Sequence, residues 1–213
     1  MKKTKNILLL MAVIMVSAIM FTSCLDDDNN KKISDTITLT KQEMVVRNQT
    51  LSGKWEGKLY FVNTEKQKSD STYIVWVTDT TKLTITINDF PVSILANYVN
   101  NANLKELLEK APTQPLVFNY CSFEKDYREY YNMYYFRYIF VPKDNKMTFK
   151  LNGDDVTVTF VESLSDMSNV YNPIAVHYKG IMSGNILLGD LNYKNFSYKM
   201  NTLLAFSGEQ IGR

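Results

Sequence analysis

The segment Met147–Val161, MTFKLNGDDVTVTFV, leaves the least freedom of any stretch in the chain. Met147, Phe149 and Leu151 alternate with Thr148 and Lys150 up to Asn152-Gly153, and Val156, Val158 and Phe160 alternate with Thr157 and Thr159 beyond it. A period of two places each apolar set on one face of a strand. Asn-Gly is the pair best suited to the positive φ angles of a two-residue hairpin turn. A lone hairpin is marginal in water, so this one needs further strands to pack with.

The rest of the chain supplies them. In KWEGKLYFV, Trp55, Gly57, Leu59 and Phe61 share a face. STYIVWV and KLTITI follow closely, the second alternating Leu83, Ile85 and Ile87 with threonines. PLVFNYCSF, the aromatic run YREYYNMYYFRYIFVP and two or three C-terminal strands complete the series, with turns expected at Ser183-Gly184 and around Gly189-Asp190. The 14 Tyr, 11 Phe and 2 Trp suit a pleated, half-buried surface. The expected fold is mainly β: one antiparallel domain of about 8–10 strands over residues 36–213, closed into a barrel or split into a sandwich.

Two stretches break the β pattern. Thr40 and Glu43 form a T-x-x-E capping box, with Leu39 and Met44 placed as a hydrophobic staple. They predict a helix over residues 41–50; a strand through TITLT and MVV is the alternative. Between residues 91 and 111 a helical insertion is expected, starting at Pro91, with Asn103 as the N-cap of a second helix and Pro112 and Pro115 closing it.

The N-terminus has a different character. MKKTKN is positively charged, and Ile7–Phe21 contains nothing more polar than Ser17. Fifteen apolar residues fall short of the roughly 20 that span a bilayer and fit a secretory h-region; a short uncleaved anchor is the alternative. Thr22-Ser23-Cys24 resembles the bacterial lipobox, with Phe21 where leucine is usual. That resemblance implies that residues 1–23 are removed, that Cys24 is acylated and anchors the chain to a membrane, and that residues 24–35 are a flexible tether. Asp26, Asp27 and Asp28 resemble the export tag of Bacteroidetes surface lipoproteins, which implies an outer-membrane anchor and exposure on the cell surface, with the periplasmic face as the alternative. Asp35-Thr36-Ile37, Asp70-Ser71-Thr72 and Asp79-Thr80-Thr81 resemble the O-glycosylation acceptor of the same phylum.

Charge and chemistry exclude several functions. Without Lys2, Lys3 and Lys5 of the leader, 21 basic residues face 22 acidic ones, so no nucleic-acid footprint is expected. With one histidine, His177, and Cys121 as the second cysteine, no cluster has zinc-ligand spacing. No metal, no cofactor and no catalytic residue is therefore assigned. A hydrolase would need carboxylates brought together by the fold. His177 reads as structural or surface-facing, and Cys121 as a buried small hydrophobe.

Gly53-Lys54-Trp55 after a helical lead-in resembles the G-x-W of the first lipocalin strand, where the tryptophan seals the closed end of an eight-stranded barrel. The arginine that covers that tryptophan in lipocalins has no counterpart, since the only late arginine is Arg213. Taken with GKWEGKLYF and ITINDFPVSILANYV, the chain resembles a family of Bacteroidetes lipoproteins that is a domain of unknown function, which implies a lipocalin-like β fold. The expected role is a non-catalytic binding module for a small apolar or glycan ligand, with Trp55, Trp76, Tyr134 and Tyr138 as candidate contacts. A structural lipoprotein that docks to an envelope protein partner, with no cavity, is the alternative.

Overall fold

The Asn152-Gly153 hairpin forms, with φ of 51° and 89° at its two turn residues, as a type I′ turn requires. The computed structural model describes residues 36–37, 39–122, 125–126, 135–162, 164–165, 170–171 and 173–212. Ten strands form one antiparallel sheet. They are β1 (Gly53–Asn63), β2 (Lys68–Asp79), β3 (Thr84–Phe90), β4 (Gln114–Ser122) and β5 (Tyr135–Pro142). There follow β6 (Lys146–Leu151), β7 (Asp154–Phe160), β8 (Ile174–Tyr178), β9 (Ile181–Tyr193) and β10 (Phe196–Gly212).

Eight of them close a ring, which decides for the barrel over the sandwich. β1 to β5 pair in chain order, β5 pairs with β8, β8 with β9, β9 with β10, and β10 returns to β1. Closure removes the open edges of those eight strands. The β6–β7 hairpin stands outside the ring. β9 serves both structures: Ile181–Gly184 pair with β8, while Leu188–Tyr193 pair with β7. The register of the β9–β10 pair shifts at Leu188/Asp190, so Gly189-Asp190 is a bulge rather than the expected turn. Ser183-Gly184 likewise lies within β9, and the turn before it is Lys179-Gly180. Both corrections have one cause. These glycines answer a need for room inside the sheet, which a one-dimensional pattern cannot separate from a turn.

Helix α1 (Lys41–Thr50) has the expected capping box: Glu43 N–H donates to Thr40 Oγ1, and Thr40 N–H donates to the Glu43 carboxylate. The insertion holds a 3-10 helix, Val92–Tyr98, entered at Pro91, and α2 (Ala102–Glu109). The N-cap of α2 is Asn101 rather than Asn103, its Oδ1 accepting from Leu104 N–H at 2.9 Å. An N-cap side chain bonds the amide two or three residues on, and only Asn101 has the extended backbone for it. Cys121 is exposed, not buried. In β4 the inward positions are Leu116, Phe118, Tyr120 and Ser122, so alternation turns Cys121 outward, where residual burial still pushes its thiol pKa up.

The ring interior is solid where the described strands cross. One inward row runs Ile74, Gly57, Gly208, Met182 and His177 across five strands. A Cβ at Gly208 would lie 2.1 Å from Glu56 O and 2.6 Å from the Trp76 indole; one at Gly184 would lie 2.7 Å from the Phe206 ring. Glycine here makes room for aromatic rings lying across the strand. Gly208→Ala should therefore destabilise the protein by about 3 kcal/mol through overpacking, read from the urea midpoint. Gly212→Ala, where nothing lies within 4 Å, is the matched control and should stay within about 0.5 kcal/mol of the parent.

Candidate functional site

The barrel brings Trp55, Trp76 and Tyr138 together in its core. They are 0%, 1% and 0% exposed. Tyr134, the fourth candidate contact, lies outside the described residues, as do Cys24, Asp26, Asp27 and Asp28. Trp55 and Trp76 sit opposite each other on β1 and β2 with parallel rings, centroids 6.2 Å apart and planes 5° apart. Phe206 meets Trp76 edge-on at 5.4 Å, Phe140 meets Phe206 at 5.4 Å, and Phe118 stacks on Phe140 at 3.9 Å. Aromatic side chains thus cross the interior from β1 to β5. Offset-stacked and edge-to-face pairs of this kind add about 0.5–1.5 kcal/mol each beyond their buried area.

This cluster also secures α1 over one end of the ring. A helix end leaves its last carbonyls without partners. Here the barrel rim supplies donors to the end of α1 and the residues that follow. Tyr138 Oη donates to Arg47 O at 2.8 Å, Tyr120 Oη to Asn48 O at 3.3 Å, and Trp55 Nε1 to Leu51 O at 3.0 Å. Gln210 Nε2 donates to Ser52 O, and Asn48 Oδ1 accepts from both N–H and Oγ of Ser122. Where a lipocalin places arginine over its tryptophan, this chain has other groups. Gln210 faces Trp55 across the β10–β1 pair, and His177 meets the Trp55 ring edge-on at 5.6 Å.

His177 is wedged between Trp55 and Phe136, whose ring lies 6.2 Å away at 19°, and Arg47 covers Phe136 with its guanidinium 5.1 Å from the ring. Its Nδ1 is buried without a hydrogen-bond partner among the described residues. Burial holds its pKa below the ordinary 6.5. The structural assignment made for His177 from sequence therefore fits its setting better than a surface one.

A second feature lies at the opposite end of the ring, and no sequence motif marked it. The β1–β2 hairpin tip leans on the insertion. Val62 N–H donates to Tyr98 Oη at 3.2 Å, Thr64 Oγ1 donates to Asn97 O, and Lys105 Nζ pairs with the Glu65 carboxylate. Between them is an open groove of about 230 Å³ lined by Phe61, Asn63, Asp70, Ser93, Asn97 and Glu109 among others. The salt bridge with Lys105 holds the Glu65 carboxyl below its usual range. Burial pushes the Tyr98 phenol up. The only sequence signal for this groove was the break in the β pattern at Pro91; its two walls are some thirty residues apart in the chain.

Two outcomes check the α1 end. Tyr138→Phe should cost about 1 kcal/mol in urea denaturation and no more, because Thr50 Oγ1 still donates to Arg47 O at 2.7 Å. For His177 the folded pKa lies below the unfolded one, so the unfolded chain binds more protons as pH falls through 6.5. Stability contributed by the neutral, buried imidazole is complete above that pH and declines below it. The urea midpoint of His177→Phe should accordingly change less than the parent's between about pH 7 and pH 5.

Comparison with known families places this architecture. Residues 50–180 match the model of DUF4840, a domain of unknown function. The match covers β1 to β8, and β9 and β10, which complete the ring, follow it. No curated protein matches the chain. Since the matched residues make up more than half of its length, the chain belongs to the DUF4840 family of domains of unknown function.

Proposed function

We propose that this chain is an outer-membrane lipoprotein, acylated on Cys24 and carried to the cell surface by Asp26, Asp27 and Asp28, whose β domain binds without catalysis through its outside. The single observation carrying the last part is the packed ring. Trp55, Trp76, Phe118, Tyr138 and Phe140 are at most 1% exposed and hold the space that an apolar ligand in the barrel would need. One end of the ring is covered by α1 and the other by the insertion. The anchor is supported by the leader and the lipobox-like Thr22-Ser23-Cys24. Each buried methylene contributes about 0.8 kcal/mol, and two or more acyl chains on one cysteine hold where a single chain does not.

Each half of the proposal has its own measurement. Cys24→Ala should move the protein from the membrane to the soluble fraction, and unchanged membrane retention would refute acylation. Deleting Asp26–Asp28 should keep the protein in the membrane fraction but shield it from protease added to whole cells. Titration of the purified protein with N-phenyl-1-naphthylamine should give no saturable fluorescence gain; a saturable one would show an interior site and overturn the outside-binding half.

A further inference from the structure

We infer that the groove between the β1–β2 tip and the helical insertion is a carbohydrate-binding site that takes one sugar ring of a glycan. The inference rests on the outside-binding proposal and names its ligand class. Three observations converge on it.

The first is how the groove is built. The described hairpin connections of the ring are short: residues 64–67, 80–83, 179–180 and 194–195. The β3–β4 connection runs from residue 91 to 113 and carries two helical segments. Long connections in compact domains are usually functional. This one is fastened to the opposite wall by the Tyr98, Asn97 and Lys105 contacts, so the groove is formed before any ligand arrives. Pre-formed walls spare a ligand the cost of ordering them.

The second is the lining. At about 230 Å³ the groove is below the roughly 300–1,000 Å³ of sites for drug-sized ligands. Its apolar part is the half-buried Phe61 ring, with Ile94 and Ala96 buried behind the groove, and the rest of the lining is polar: the Asn63 and Asn97 amides, the Ser93 hydroxyl, the Lys105 ammonium and three carboxylates. A pyranose presents the same division, with C–H groups on a face and hydroxyls around the rim that both donate and accept. The Ser93 hydroxyl and the Glu109 carboxylate line the groove and take part in no hydrogen bond with a described residue, while Asp70 uses one oxygen on Ser71 N–H at 2.8 Å. Acceptors and a donor therefore remain for hydroxyls, as the side-chain inventory requires. A lipid tail has no use for them, and a phosphate would face Asp70, Glu65 and Glu109 together.

The third is orientation. Thr36–Ile37, where the tether reaches the domain, pair with Lys125–Asp126 just beyond the end of β4 that also contacts α1. The groove is at the other end of the strands. The tether thus enters the domain at the end opposite the groove, which leaves the groove clear of the chain leading to Cys24 and open to extracellular glycans.

The test uses the acylated protein in detergent micelles and the methyl glycosides of glucose, galactose, mannose and N-acetylglucosamine as probes in saturation-transfer NMR. At least one glycoside should receive saturation, and the transfer should fall at least tenfold in Glu109→Ala and in Ser93→Ala with unchanged thermal melting. Because both residues are at the protein surface, a loss of fold is separable by melting; a Cys121→Ser control should bind like the parent. No transfer to any of the four, or transfer unaffected by both variants, overturns the inference. Saturable titration by spermidine in place of the sugars also overturns it, since that would assign the groove to a cation. If naphthylamine stays excluded throughout, outside binding survives; if it binds, that proposal fails whatever the sugars do.

Discussion

The structure depends on one steric exchange inside the ring, glycine on one strand for an aromatic ring reaching over from another. Gly57 and Gly208 face each other across β1 and β10, and neither position has room for a methyl group. The Trp76 indole takes the space over Gly208, and the Phe206 ring takes the space over Gly184. A packed interior has few voids larger than a water molecule. Once Trp55 and Trp76 stack in that space, the barrel has no calyx along this section, and its chemistry moves to the ends and the outside.

Both ends follow from the same packing. At one, the core aromatics have polar tips, and Tyr138, Tyr120 and Trp55 use them to bind the carbonyls of α1 and of the residue after it. A helix of ten residues is marginal alone, and its stability in proteins comes mostly from tertiary contacts. α1 and the aromatic core are thus mutually dependent: the helix covers the rings, and the rings satisfy the helix. At the other end Leu95, Leu104 and Leu108 bury the apolar faces of the insertion, which leaves its polar side facing the β1–β2 tip. The groove is the space left between those two polar surfaces.

Much of this was legible in the sequence. Period-two alternation in MTFKL and VTVTF, the Asn-Gly turn and the Thr40/Glu43 box are local features, decided by residues within a few positions of one another, and each forms as expected. Of the proposed contact residues, Trp55, Trp76 and Tyr138 do share one core, but as packing: the two tryptophans stack on each other and Tyr138 meets Tyr120 edge-on. Tyrosine and tryptophan serve a pocket wall and a core equally well, so composition cannot tell the two apart. Cys121 shows the same limit at one residue. Apolar neighbours suggested burial, while the pleat turns it outward because Tyr120 and Ser122 point in.

What the sequence alone determined is therefore the class of structure and its punctuation: antiparallel strands, one helical lead-in and one helical insertion. These are set by short-range periodicity, turn stereochemistry and capping. Only the tertiary structure decided that the strands close rather than split, because closure is a pairing between β10 and β1, some 150 residues apart. The same long-range register put Gly208 beside Gly57 and under Trp76, which filled the barrel. It also brought Phe61 and Asp70 opposite Ser93 and Glu109, which made the groove. Side-chain volumes across a closed ring must fit together, and that condition has no signature in any single segment.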